Sequence, residues 1–213
     1  MNPLATRVMS TVAGQLGNPH GFLGKGIAIL LNRGNRFLIG EAVAGSAVAP
    51  AETAADIGFG GGVGLSLLLD RVGAGGTVIG IEISPDMLAR AKSRHTGEIG
   101  AGRLRILEGS MTALPLADAS VDVAITANTI YFVPELDQAC AEFARVLRPG
   151  GRIVVAIGDP GAMAEMPFTQ FGFRLRPVEE VTAALEKAGL TVEQRVVRRK
   201  PIDGHLLIGR SQR

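Results

Sequence analysis

From residue 51 onward, short apolar runs rich in Val and Ile alternate with stretches whose apolar positions recur at helical spacing. The runs predict strands near Thr53–Ile57, Val78–Ile83, Arg103–Glu108, Val121–Asn128, Arg152–Ile157, Thr191–Val197 and His205–Ile208. Helices are predicted at about Val63–Val72, Pro85–Arg94, Leu136–Leu147 and Val178–Ala188, with "RPGG" and "KAGL" supplying Pro and Gly stop signals. Alternating strands and helices imply βαβ units, because parallel strands need a crossover and its helix covers a sheet face. The expectation is an α/β fold: a doubly wound, mostly parallel, seven-stranded sheet with helices on both faces.

The first 50 residues break this pattern. "GNPHGFLGKGIAILLNRGNRFLIG" places Phe22, Leu23, Ile27, Leu30 and Leu31 at helix-like spacing among Gly21, Gly24, Gly26 and Gly34, so helices there are expected to be short and loosened by glycine. Residues 1–50 read either as a helical lid over a site or as a helix packed on the sheet for stability alone. Residues 51–213 read as one compact unit, since "GAGG" at Gly73–Gly76 and the glycines Gly100 and Gly102 mark tight turns and not a linker.

Composition narrows the classes. A chain of 213 residues, 46% hydrophobic, buries a substantial single core. Lys and Arg total 22 against 20 Asp and Glu, and a net charge of +2 is too small to imply a nucleic-acid partner. One cysteine, Cys140, excludes an internal disulfide and fits a reducing cytoplasm. The longest early apolar run, Ile27–Leu31, falls far short of the roughly 20 residues of a membrane span, and no basic segment with a cleavage site precedes it. The chain is expected to be soluble and cytoplasmic, with its oligomeric state open, a homodimer included.

The chemistry concentrates in "ADIGFGGGVG", residues 55–64, where four glycines, Gly58 and Gly60 to Gly62, fall within five positions behind a strand ending near Asp56. A strand, a glycine-rich turn and a helix form the first βα turn of a doubly wound sheet, and such sheets bind ligands at the carboxyl ends of their strands. Glu82 ends the second run twenty positions after Gly62, where a carboxylate binds ribose hydroxyls. The ligand is thus nucleotide-like, yet neither the dinucleotide fingerprint G-x-G-x-x-G nor a phosphate loop occurs. Asp56 would repel a pyrophosphate and suit a ligand carrying an ammonium and a sulfonium.

These residues resemble the class I S-adenosylmethionine-dependent methyltransferases, particularly the small-molecule branch. "DIGFGGG" matches the acidic-x-G-x-G-x-G loop of that family, and "IGIEISPDMLARAK" looks like its ribose-binding acid with the helix that follows. "LEGSMTALPLADASVDVAI" resembles the third strand, adenine loop and fourth strand; "ANTIYFVPELDQACAEFARVLRPGGRIVVA" resembles the block through the fifth strand. The resemblance implies a Rossmann-like methyltransferase fold with S-adenosyl-L-methionine as cofactor. It places Asp56 and the backbone of Gly58, Phe59, Gly60 and Gly62 against the methionine portion, Glu82 on the ribose, and Ile83 beside the adenine. Ser110 and Met111 fall in the adenine loop, with Ser110 standing where many relatives have aspartate. Asn128 would lie beneath the methionine portion and next to the acceptor.

Methyl transfer from a sulfonium is an in-line displacement, so alignment, exclusion of water and, for some acceptors, removal of a proton are what the protein must supply. "NTIY" lacks the Asn/Asp-Pro-Pro-aromatic motif of amino-group methyltransferases, which points to an oxygen or carbon acceptor. Tyr131, the only tyrosine, and His20, in the lid segment, are the candidate catalytic side chains; the alternatives are a half-buried aromatic and an exposed turn histidine. His95 is expected to end a surface helix and His205 to start the last strand, and no histidines share metal-ligand spacing, so no metal is expected. Cys140 reads as a small core residue. Met163, Met166, Phe168, Phe171 and Phe173 read as an apolar acceptor pocket or as ordinary core, and "RVVRRK", Arg195–Lys200, as a solvated strand end.

The resulting expectation is a methyltransferase for a small, partly apolar metabolite. The rivals are an enzyme acting on RNA, protein or lipid head groups, a nicotinamide-dependent oxidoreductase, and a non-catalytic cofactor-binding subunit.

Overall fold

The computed structural model describes residues 35–170 and 172–212. After a helix over residues 35–45 (α1), the strands are β1 Thr53–Ile57, β2 Thr77–Glu82, β3 Leu104–Glu108, β4 Val121–Ala127, β5 Leu147–Gly158, β6 Leu190–Val197 and β7 Gly204–Ser211. The later helices are α2 Val63–Val72, α3 Pro85–Arg94, α4 Thr96–Gly100, α5 Leu136–Val146, α6 Pro160–Ala164 and α7 Val178–Lys187.

The strands form one sheet in the order β3-β2-β1-β4-β5-β7-β6. β3 through β5 are parallel neighbours, while β7 lies antiparallel between β5 and β6. The sheet is therefore mixed, with a parallel body and an antiparallel far edge. Strand order reverses between β1 and β4, which opens a crevice at their carboxyl ends.

Alternation along the strands splits the core in two. Ala55, Ile57, Ile79, Ile81, Ala124 and Val155 face a cluster with Cys140, Phe143 and Val146 of α5 and Val181 and Leu185 of α7. Ala54, Val78, Val123, Ile125 and Val154 face the other, with Leu65, Leu68 and Val72 of α2 and Met87 and Leu88 of α3. Leu38, Ala42 and Val43 of α1 join this second cluster. Residues 35–45 of the expected cap thus pack on the sheet; residues 1–34, with His20 and most of the glycine-loosened stretch, lie outside the described residues.

His95 ends the amphipathic α3 as its C-cap, as expected, but its side chain is buried: it is 5% exposed, with Nδ1 3.6 Å from Glu98 and Nε2 buried without a hydrogen-bond partner among the described residues. The short α4 follows it at once and covers it, a turn too brief for periodicity to reveal. α6 and the 3-10 turn Pro167–Gln170 fold the Met- and Phe-rich stretch after β5, where Asp159 caps α6 by accepting the Ala162 N–H at 2.8 Å.

Candidate active site

β1 leads into the glycine turn because Gly58, Gly60 and Gly62 take φ of +72°, +49° and +77°, which side-chain-bearing residues adopt at a cost. The turn also packs tightly: a Cβ on Gly58 would lie 2.6 Å from Cγ2 of Thr129. At Gly60, by contrast, a Cβ would meet nothing within 4 Å, and this backbone borders a cavity of about 240 Å³.

Ten of the sequence-predicted binding residues can now be placed. Asp56, Gly58, Phe59, Gly60, Glu82, Ile83, Ser110, Met111 and Asn128 all line that cavity. Gly62 stands outside the lining as the N-cap of α2. Phe59 offers the cavity little beyond backbone, since it is 4% exposed and its ring packs with Leu65.

Glu82 is held by the backbone around it. Its Oε2 accepts the Gly60 N–H at 2.8 Å, and its Oε1 accepts those of Ile83 at 2.8 Å and Ser84 at 3.1 Å. Two carboxylate oxygens offer about four lone-pair sites, so three bonds orient the group and leave acceptor capacity for a ligand hydroxyl. Asp56 has no such support: no hydrogen bond reaches its carboxyl from the described residues, and burial with the nearby Glu82 charge pushes its pKa up to about 8. A buried carboxyl without a donor facing a cavity is a site prepared for a cation.

The loop expected to face the adenine has a readable structure at Ser110, where the resemblance leads one to expect aspartate. Ser110 Oγ accepts the Thr112 N–H at 3.2 Å and shares a hydrogen bond with Thr112 Oγ1 at 2.8 Å, so its hydroxyl is spent on its own turn. The loop beyond is pinned to α5: Glu142 accepts the Leu114 N–H at 2.7 Å, and Arg145 donates to the carbonyls of Leu114 at 3.1 Å and Leu116 at 2.8 Å. Ile83, 50% exposed at the rim, and Met111 supply apolar surface there.

At the end of β4, Asn128 takes φ of +55° and aims its amide between the elements. Its Nδ2 donates to Oδ1 of Asn35 at 3.0 Å, and its Oδ1 accepts the Tyr131 hydroxyl at 3.1 Å. The same hydroxyl accepts the Gly158 N–H at 2.7 Å. Tyr131 is 2% exposed, so it is more deeply buried than a half-exposed aromatic at the mouth, and burial raises its phenol pKa well above the usual range. Its hydroxyl joins the Asn128 amide to the Gly158 N–H.

A second cavity, of about 320 Å³, adjoins the first and shares Asn35, Asn128 and Phe132 with it. Phe37, Leu38, Tyr131, Met163, Met166, Phe173 and Ile202 give it apolar walls. Phe173 lies edge-on to Phe132 at 4.7 Å between centroids. Met163, Met166 and Phe173 of the expected pocket are therefore brought together; Phe171 and the side chain of Phe168 lie outside the described residues.

The family described as "Methyltransferase domain" matches residues 55–155. This stretch, just under half of the chain, is similar to a methyltransferase domain. The chain is 37% identical over 128 residues to an arsenite methyltransferase of Halobacterium salinarum, a match covering 60% of this chain and 32% of that protein. It is 39% identical over 100 residues to the nocamycin O-methyltransferase of Saccharothrix syringae, covering 46% and 35%. The chain spans about a third of the length of these curated relatives. Its fold superposes on a chain of a Haloferax volcanii complex containing the Trm112 methyltransferase activator, with a TM-score of 0.78, 21% identity and coverage of 89% and 96%.

Several lining residues escaped the sequence reading. Asn35, Ile39, Met87, Thr112, Thr129 and Val133 also line the first cavity. Arg176, 9% exposed, pins its far wall by donating to the carbonyls of Ile130 at 2.9 Å, Val133 at 2.6 Å and Pro134 at 3.1 Å. No signal local to "FRLRP" announces that task. His205 bonds Asp159 Oδ2 at 3.1 Å and Gln194 at 3.2 Å and, like His95, lines neither cavity. Cys140 sits in the core, and burial pushes its thiol up to about 12. Among the described residues, no group of three or more His, Cys, Asp or Glu is placed to hold a metal ion, and no helix is long and apolar enough to cross a membrane.

Proposed function

We propose that this chain moves the methyl group of S-adenosylmethionine to a small, partly apolar metabolite, at oxygen or carbon in preference to nitrogen. The observation that carries the reading is the junction of two cavities: an acidic, glycine-walled one meets an apolar one at Asn35, Asn128 and Phe132. When bound, the cofactor supplies a methyl carbon made electrophilic by its sulfonium. Asp56 offers a carboxylate to the ammonium end, Glu82 its remaining lone pairs to the ribose hydroxyls, and Ile83 and Met111 apolar surface to the adenine.

Displacement at a methyl carbon depends on alignment, so the residues at the junction carry the chemistry. The Asn128 amide, held by Asn35 on one side and Tyr131 on the other, gives the acceptor a fixed polar group beside apolar walls. No histidine among the described residues lines either cavity, which leaves His20 as the candidate base for acceptors that must lose a proton. Residues 1–50 are proposed as a lid segment, of which residues 35–50 lie among the described residues, with α1 packed on the sheet. The one buried thiol of Cys140 gives arsenite no cluster of sulfur ligands.

The test is calorimetric titration with S-adenosylmethionine, S-adenosylhomocysteine and NAD in parallel, followed by transfer of labelled methyl to fractionated metabolites. Saturable binding of the first two with label in small molecules is the expected result. Binding of NAD alone favours the oxidoreductase, label in RNA, protein or lipid favours a macromolecular acceptor, and binding without turnover favours a non-catalytic subunit.

A further inference from the structure

The two cavities are oppositely charged. Three acidic side chains, Asp56, Glu82 and Glu135, line the first, with no Lys or Arg among its lining residues. Arg199 and Lys200 line the second, with Asp203 as its one acid. That acid is already balanced: its Oδ2 takes the Arg198 guanidinium at 2.6 Å and its Oδ1 the Arg199 N–H at 2.8 Å. The Arg199 guanidinium lies over the Phe37 ring at 4.6 Å, so it is held against an apolar wall of the cavity. Lys200 has no ion-pair partner among the described residues.

We infer that the acceptor is an amphipathic organic anion, its hydrocarbon or aryl body on the Tyr131, Phe132 and Phe173 floor and its anionic group at Arg199 and Lys200. This rests on the methyltransferase reading and narrows its substrate class. Charge complementarity sorts the two ligands, since an anion is repelled by the first cavity and a cation by the second. Arg199 and Lys200 line the second cavity and not the first, whereas Asn35, Asn128 and Phe132 line both. The anionic group is therefore a handle at the far end of the acceptor, and a different atom of it reaches the junction where the methyl group arrives. The basic run "RVVRRK" divides accordingly: Arg195 pairs with Glu193 at 2.6 Å on the exposed strand, while its last two residues belong to the acceptor cavity.

The experiment titrates octanoate, octyl phosphate, 1-octanol and octylammonium into the protein, with and without saturating S-adenosylhomocysteine. Both anions should bind at least about tenfold more tightly than the alcohol, with the ammonium weakest. Whichever of octanoate and octyl phosphate binds more tightly names the head group. Lys200→Gln should weaken the anions about three- to tenfold, and Lys200→Glu further, without changing the alcohol. Lys200 is exposed, and matching thermal melts confirm that both variants fold. Equal binding of alcohol and anions, no binding of either, or anion affinity unchanged in both variants overturns the inference. Failure of S-adenosylhomocysteine to bind overturns the methyltransferase reading instead, and the titrations without it still report on the second cavity.

Discussion

Gly64 stands against the Asp56 carboxyl: a Cβ at Gly64 would lie 2.2 Å from Asp56 Oδ2 and 3.0 Å from its Cγ. The first turn of α2 thus has to be bare for the acidic side chain of β1 to occupy its place beneath the cavity. Gly64→Ala forces that carboxyl aside. It should weaken S-adenosylmethionine binding at least as much as Asp56→Ala, and the two substitutions should be strongly non-additive, since both act on the same group. Additive losses in a calorimetric double-mutant cycle would show that Gly64 and Asp56 act separately.

Asp56 also makes the unliganded protein sensitive to pH. Its pKa in the folded chain, about 8, lies above the ordinary 3.8, so between these values the native state holds a proton that the unfolded chain has lost. Stability from this group is greatest in acid and declines as pH rises through that window. Asp56→Asn should flatten that decline and make the unliganded protein more stable near pH 8, as read by denaturant midpoints at pH 5 and 8. In the wild type, cofactor affinity should increase from pH 6 to 8 as the carboxyl ionises, a slope the variant loses.

Glu82 receives three backbone N–H groups and lines the first cavity, where the proposed function gives it the ribose. Glu82→Ala should weaken cofactor binding by about 1–3 kcal/mol through lost charge-assisted hydrogen bonds. Glu82→Gln should fall between, because one face of the amide still accepts while the other cannot take the Gly60 N–H. Calorimetry that finds all three proteins equal in affinity removes Glu82 from the site.

Tyr131→Phe strips the partner from the Gly158 N–H and one restraint from the Asn128 amide. Leaving a buried donor unpaired should cost about 1–3 kcal/mol of stability. Turnover should fall while the pH-rate profile keeps its shape, since burial keeps the phenol protonated throughout the working range. Loss of a basic limb in the variant would instead make Tyr131 a proton acceptor.

Local patterning sufficed for much of this protein. The bounds of β1, α2 and α3 follow from apolar periodicity with Gly, Ser-Pro and Arg at the ends. The acid before the glycines and the acid ending β2 were legible because both lie on or beside one βα turn, where sequence spacing is spatial spacing. Tertiary structure alone decided the rest. Asn35 meets Asn128 across 93 positions and Arg152 meets Glu52 across 100, and neither pairing has a local signal. The place of β7, antiparallel between β5 and β6, assembles the second cavity by bringing Gly204 and the preceding turn beside Gly158 and Met163. A chain's own periodicity records which face of each element is buried, but a cavity is made by the faces of several elements at once, and only their packing determines which side chains share it.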